Sequence, residues 1–309
     1  MSRLLLLLLT AASLACPQEP RLFAGGMVPV SGPTGVAFSP DGNTVYFVQL
    51  RQNIMSSHLE NGHWTAPRPM PFSGPWRDGD PSISPDGRHL FFWSARPLDG
   101  RQRKGNAIWV SDRTPSGWSE PRDIGVAVNG PDGGAAFASV TNDGTLYFFA
   151  NRDIYRAKRT ADGYAQPENL GPPVNSEANE FDGYIAPDES YLVFASDRPG
   201  GFGQADLYIS ERKNGAWTAP RNLGPKINSG DSECCPAVSP DGKYFFFTSQ
   251  GRRNGIFRID IAALGLGPAR PYADAQLFEE GLSRLPAHSA SPSRPKAARS
   301  ISPSWPPPS

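Results

Sequence analysis

The chain has 309 residues, with 30 Lys plus Arg against 30 Asp plus Glu, so no net field draws it to nucleic acid or to an anionic membrane surface. With 32 Gly, 33 Pro and 11% aromatic residues, it is punctuated too often for long helices and suits short strands joined by tight turns. A chain of this length accommodates a single all-β domain with a sizeable core.

The first elements belong to targeting. Arg3 is followed by an unbroken apolar run from Leu4 to Leu9 and by the small residues Ala11, Ala12, Ser13 and Ala15. Residues 1–15 read as a secretory signal, too short to persist as a membrane span. The segment Ser13-Leu14-Ala15-Cys16 resembles a bacterial lipobox, which would make Cys16 the lipidated first residue of the mature chain; simple cleavage after Ala15 is the alternative. Lipidation would leave Cys234 and Cys235 as an even pair, for which a strained vicinal disulfide and two free thiols are both open. The expected location is the periplasm, or the outer membrane through a lipid on Cys16.

Residues 16–266 carry an internal repeat. Ser39-Pro40-Asp41-Gly42 recurs as Ser84-Pro85-Asp86-Gly87 and Ser239-Pro240-Asp241-Gly242, with variants Thr141-Asn142-Asp143-Gly144 and Ala186-Pro187-Asp188-Glu189. The Asp residues are spaced by 45, 57, 45 and 53 positions, the period of propeller blades. After each turn comes an apolar strand: Val45 to Val48, Leu90 to Trp93, Leu146 to Phe149, Leu192 to Ala195 and Phe245 to Thr248. Such runs suit strands covered on both faces, as stacked blades require. A third strand follows at Ile108, Ile154, Leu207 and Ile256, and a fourth around Trp64, Trp118, Tyr164 and Trp217, each with a Pro three residues on. Proline fits an outer edge strand. The fifth repeat has no such fourth strand after Ile261, whereas Glu19-Pro20-Arg21-Leu22 reads like Glu120-Pro121-Arg122-Asp123. The expected fold is therefore an all-β propeller of four-stranded blades, closed by the N-terminal strand. Five blades are preferred, and six follow only if residues from Leu264 to Tyr272 add strands. The Pro/Ser-rich stretch 267–309 has little apolar surface to bury and is expected to be disordered.

The Ser-Pro-Asp-Gly-x-x-aromatic-aromatic-Phe phrase, together with Ser196-Asp197-Arg198-Pro199-Gly200-Gly201-Phe202-Gly203-Gln204-Ala205-Asp206-Leu207-Tyr208, resembles the PD40 (WD40-like) repeats of TolB-like propellers. The resemblance spans residues 21 to 263 with five matches. It implies the fold; it does not imply a ligand, and a role in the Tol system is not carried over.

In an up-and-down blade, the loops before the first strand and between the second and third share one face. Acids gather there: Asp78, Asp80, Asp132, Glu177, Glu180, Asp182, Asp231 and Glu233. Arginines recur four residues after the central Phe, at Arg51, Arg96, Arg152 and Arg198, with Arg252 one residue later in the fifth repeat. Guanidinium forks can hold carboxylate or phosphate, although repeated charges can equally pair with each other to support the fold. Blade-specific groups are better candidates for recognition: the loop with Arg101, Arg103 and Lys104, and the aromatics Trp76 and Phe202. His58, His63, His89 and His288 form no metal-ligand spacing with the cysteines, and no nucleophile elbow or phosphate loop is present, so no cofactor is expected.

Two functions remain. The first is a non-enzymatic exported propeller that binds an envelope protein, peptide or glycan at the channel mouth, touching membrane only through Cys16. The second is a glycoside hydrolase working through Asp80, Asp182 and Glu233, since paired carboxylates suffice for glycosidic cleavage. Carboxylates left unpaired across the channel would favour catalysis; carboxylates each paired with Arg would favour a structural role.

Overall fold

The computed structural model describes residues 19–23, 34–49 and 53–266. The signal segment, Cys16, Arg51 and the tail from 267 lie outside them. The described chain is a five-bladed propeller of antiparallel sheets.

Each blade grows from its turn. In the first, the Ser39 hydroxyl donates to Asp41, Asp41 accepts from the Asn43 amide, and the Thr44 amide donates back to Ser39 Oγ. Gly42 takes φ 72°, a left-handed conformation that costs glycine nothing. Ser84 with Asp86, Thr141 with Asp143 and Ser239 with Asp241 repeat the device. The fourth blade replaces Gly by Glu189, which holds φ 57° while accepting from the Tyr147 hydroxyl and pairing with Arg212. These hydrogen bonds explain why the turn Asp is used: it satisfies amides that the reversal leaves unpaired.

The turn joins an inner strand to the apolar second strand. The inner strands are Val36–Phe38, Asp78–Ile83, Ala136–Val140, Glu180–Ile185 and Ser232–Val238. The second strands are Thr44–Gln49, His89–Ser94, Leu146–Ala150, Tyr191–Ser196 and Tyr244–Gln250, and the third Asn53–Glu60, Ala107–Thr114, Asp153–Ala157, Asp206–Lys213 and Gly255–Asp260. Phe47, Phe92, Phe148, Phe194 and Phe247 of the second strands are all buried. The hydrophobic core is correspondingly split into five clusters, each filled from neighbouring blades, the cluster between the fourth and fifth also taking in Phe137 of the third.

The outer strand is interrupted rather than continuous. In the first blade His63–Trp64 and Arg68–Pro69 both pair with the third strand, separated by Thr65-Ala66-Pro67. Thr65 bridges the gap: its hydroxyl accepts from the His58 amide at 3.0 Å, and its carbonyl accepts from Ser57 Oγ at 2.6 Å. Ser119 and Thr218 do the same in the second and fourth blades. The hydroxyl stands in where Pro prevents regular pairing.

Closure follows the expected route. Arg21–Leu22 forms the outer strand of the fifth blade, with Leu22 opposite Phe257. Asp123 sits opposite Trp109, Asn169 opposite Tyr155 and Asn222 opposite Tyr208 in the same register. Phe23 then turns inward against Phe38 of the first blade and Phe246 of the fifth, with edge-on ring contacts at 5.8 and 5.1 Å. Leu264 and Leu266 add no sixth blade. Ile261–Leu264 forms a single 3₁₀ turn capped by Asp260, and both leucines are buried over the seam of the fourth and fifth blades.

Truncating a buried Phe costs about 3–5 kcal/mol. Phe23→Ala should therefore lower the unfolding free energy by an amount in that range, read as a fall in the urea midpoint at unchanged slope. A loss within the ~0.5 kcal/mol typical of surface changes would mean that the N-terminal strand does not hold the ring.

Candidate functional site

The acids expected at the channel mouth divide into two groups with different chemistry. Asp78, Glu180 and Glu233 each lie eight residues before a turn Asp, and all three are fully buried. Glu180 is saturated: Oε1 accepts from Ser176 Oγ, Ser196 Oγ and Arg198 Nη2 at 2.7, 2.9 and 3.0 Å, and Oε2 accepts from the Ser176 amide at 2.9 Å. Glu233 repeats this with Ser229, Ser249 and an arginine at 3.6 Å. Both Asp78 oxygens accept from Arg96 Nη2, at 3.0 and 2.9 Å. Burial pushes the Asp78 carboxyl upward, opposed by Ser94 and Arg96.

The arginines are equally occupied. Arg96 lies over Phe92 and Trp109, and Arg198 over Phe194 and Tyr208. Arg198 also donates to the Val174 carbonyl in the connection from the preceding blade. In the fifth blade this role belongs to Arg253, which donates to the carbonyls of Lys226 and Ile227 and lies over Phe247 and Phe257. The assignment of Arg252 to the repeat is thus corrected by one residue: the insertion shifts the register by two, and the Arg252 amide instead donates to Asp231. Arg152 departs as well. Its blade has Ala135 where the acid would stand, and the guanidinium bonds Asn179 Oδ1 and the Glu177 carbonyl.

Asp80 and Asp182 form the second group. An irregularity in each inner strand from the second blade to the fifth places one residue in the left-handed region: Asp80 at φ 45°, Phe137 at 48°, Asp182 at 52° and Cys235 at 57°. All four lie six residues before a turn Asp, where the first blade has Gly35. A Cβ on Gly35 would lie 3.8 Å from Asp80 Oδ1, from the Cys235 Cβ and from the Phe137 ring, so these positions converge within the channel. Such bulges re-aim side chains. Here they turn Asp80 and Asp182 away from the arginines that neutralise Asp78 and Glu180.

Among the described residues no basic side chain pairs with Asp80 or Asp182. Asp80 accepts from the Trp93 indole at 2.7 Å and from the Gly35 amide at 3.4 Å. Trp93 crosses Gly79 so closely that a Cβ there would sit 2.1 Å from its ring, which is why this position is glycine. Asp182 accepts from Cys235 Sγ at 3.4 Å. Burial, and for Asp182 also the charge of Asp80, pushes both carboxyls well above the usual range. The cavity beside Asp80 measures about 50 Å³ and is bordered by Phe137, Tyr184 and Pro236.

The two cysteines are buried and unbonded, with Sγ atoms 2.9 Å apart. Cys234, Cys235 and Asp182 place their ligand atoms within 4.8 Å of one another. This donor set has no metal-ligand spacing along the chain, because Asp182 belongs to the preceding blade, 53 residues before Cys235.

Of the blade-specific loops, Phe202 and Trp76 are exposed, at 50% and 38%. Phe202 borders a concavity of about 510 Å³ shared with Pro225, Asp231, Arg252 and Arg253. The basic loop is less free than expected, since Arg103 is buried against Asp123; Lys104 reaches only the exposed Asp132. A further repeated feature was overlooked in the sequence. Asn129, Asn175 and Asn228 each exchange two hydrogen bonds with the backbone of Ile108, Ile154 and Leu207. Its signal is Ile124-Gly125, Leu170-Gly171 and Leu223-Gly224, each followed by Asn five residues after the Ile or Leu.

No protein-family model matches the chain, and no curated protein matches its sequence. Solved structures similar to it include TolB from Acinetobacter baumannii (18% identity, TM-score 0.48), covering 75% of this chain and 53% of that one. A gluconolactonase from Xanthomonas campestris (12% identity, TM-score 0.45) covers 80% of this chain and 95% of that one. This chain thus spans about half the length of TolB. The class of protein is a five-bladed β-propeller, defined by the sheet pairing of this chain itself.

Breaking a buried ion pair from one side costs about 3–5 kcal/mol, whereas replacing both partners costs far less. Arg198→Met should destabilise the fold by that amount, and Glu180→Gln/Arg198→Met by less than Arg198→Met alone. Thermodynamic coupling near zero in this cycle would show that Arg198 is free for a ligand.

Proposed function

We propose that the chain is an exported, non-enzymatic propeller of the PD40 type that binds an envelope protein, peptide or glycan through the face carrying Trp76, Phe202 and Arg252. The observation that carries this reading is the internal consumption of the repeated charges. Asp78, Glu180 and Glu233 are buried and held by Arg96, Arg198 and Arg253. Trp76, Phe202 and Arg252 remain exposed there and are specific to single blades, and Phe202 and Arg252 border a concavity of about 510 Å³. Rigid scaffolds presenting variable loops are suited to recognition, and exposed aromatics beside Arg are typical anchors.

Glycosidic cleavage by Asp80, Asp182 and Glu233 has less support. Glu233 is fully buried and its carboxylate is held by Ser229, Ser249 and Arg253, which leaves it poorly placed to act as base or nucleophile. The space of about 50 Å³ beside Asp80 suits a few waters or an ion and leaves no room for a sugar ring. The basic start and apolar run of residues 1–15 support export, and Cys16 supports a lipid anchor.

Glycan and peptide arrays probed with the full chain should give signals that fall at least ~10-fold in a Trp76→Ala/Phe202→Ala/Arg252→Ala variant of unchanged melting temperature. Equal signals would remove this face from consideration. Hydrolysis of a polysaccharide panel, abolished by Asp80→Asn/Asp182→Asn in a folded protein, would replace the reading with an enzymatic one. Cell fractionation tests the anchor separately: the parent should partition with membranes and Cys16→Ala with the soluble fraction.

A further inference from the structure

We propose that Asp182, Cys234 and Cys235 form a binding site for a borderline-soft divalent cation of the zinc class, inside the propeller channel at the seam of the fourth and fifth blades. Two sulfur donors and one carboxylate oxygen lie within 4.8 Å of one another. Donor sets of this kind select thiophilic metals over Mg²⁺ or Ca²⁺, which prefer all-oxygen shells. Three protein ligands leave the fourth tetrahedral position to water.

The backbone builds the site. Asp182 and Cys235 occupy equivalent places in adjacent inner strands, at φ 52° and 57°. Regular strands would not hold these left-handed residues, so the same local distortion in both blades turns the two side chains toward each other. Cys234 precedes the distorted position and brings the second thiol to 2.9 Å from the first. A Zn–S bond of about 2.3 Å requires tetrahedral sulfurs roughly 3.8 Å apart, so one thiol must swing outward by rotation about its Cα–Cβ bond.

The surroundings fit a cation. The acids two residues before Asp182 and one residue before Cys234, Glu180 and Glu233, each have an arginine, whereas no basic side chain among the described residues reaches Asp182. Asp80 lies on the same channel wall, meeting Cys235 at Gly35, and adds a second carboxylate. Gln250 Nε2 contacts Cys234 Sγ at 3.5 Å, an outer hydrogen bond of the kind that orients a metal ligand. Asp182 is only half-buried, and a cavity of about 50 Å³ is bordered by Asp80 and by Pro236, the residue after Cys235.

The test uses the full chain, reduced and desalted without oxygen, and titrated with Zn²⁺ against a chromophoric chelator. One equivalent should bind, and Co²⁺ in its place should give the intense visible bands of a tetrahedral site with sulfur-to-cobalt charge transfer in the near ultraviolet. Cys234→Ser/Cys235→Ser should abolish both signals while retaining the parental circular dichroism, and Asp182→Asn should weaken binding by at least ~10-fold. Gly35→Leu, whose side chain would fill the channel and pack against Cys235, should slow zinc uptake. Absence of stoichiometric zinc, a cobalt spectrum without sulfur charge transfer, or undiminished affinity in either ligand variant would overturn the site. So would a Cys234–Cys235 disulfide that resists reduction in the folded chain.

Discussion

The whole structure depends on one constraint: a sheet whose second strand is apolar on both faces must have a neighbour on each side. Phe47, Phe92, Phe148, Phe194 and Phe247 all stand in that position, and every cluster of the core draws on at least two blades. No blade can therefore be stable alone, and the last must meet the first. Arg21–Leu22 supplies the missing strand of the fifth blade, Phe23 fills the final seam, and Thr248 Oγ1 donates to the Thr34 carbonyl across it at 2.6 Å. The first strand and the last blade are thus joined by noncovalent contacts, and the exposed sheet edge that a linear array would leave is absorbed.

A closed ring confines its inner strands, and that confinement decides what each acid can do. Asp78 and Asp80 are only two residues apart, yet one meets Arg96 and the other meets Trp93 and the Gly35 amide. The difference is the left-handed residue at position 80, which changes the direction of the side chain without moving the strand out of the sheet. Glu180 and Asp182 divide in the same way. One acid joins a blade to the connection that enters it; the next along the strand is delivered to the channel. Charge burial in the first case is compensated by an arginine; in the second the carboxyl meets only neutral donors, the Trp93 indole and Gly35 amide at Asp80 and the Cys235 thiol at Asp182.

Most of the architecture was readable because it repeats. The Ser-Pro-Asp-Gly turns fixed the period, the apolar runs marked the second strands, and Glu19-Pro20-Arg21-Leu22 carried enough of the outer-strand pattern to place the closure. The shared face of the acids and arginines was also readable from strand order. Their partition was not. Asp80 and Asp182 differ from Asp78 and Glu180 through a bulge, and bulges have no residue signature when Asp, Phe and Cys all occupy the left-handed position. The Arg252 assignment failed for a related reason: counting from Phe247 assumes equal loops, and Gly251 to Arg253 belong to a longer one. The buried asparagines were not legible because a polar residue four positions after Gly looks like loop chemistry, although Asn175 holds both backbone groups of Ile154.

The channel positions show why repetition and function separate in this fold. At the place six residues before each turn, the blades carry Gly35, Asp80, Phe137, Asp182 and Cys235, with no two neighbours alike. The backbone there is repeated, so the fold does not depend on any one side chain; only left-handed geometry is required in four blades. A fold that needs the geometry and tolerates any side chain can diversify at that ring without losing its blades. The surrounding Ser, Glu and Arg cannot vary so freely, because each satisfies a buried partner. Chemistry that distinguishes this propeller from another of the same architecture therefore concentrates at the ring and on single-blade loops, where structural demand is least.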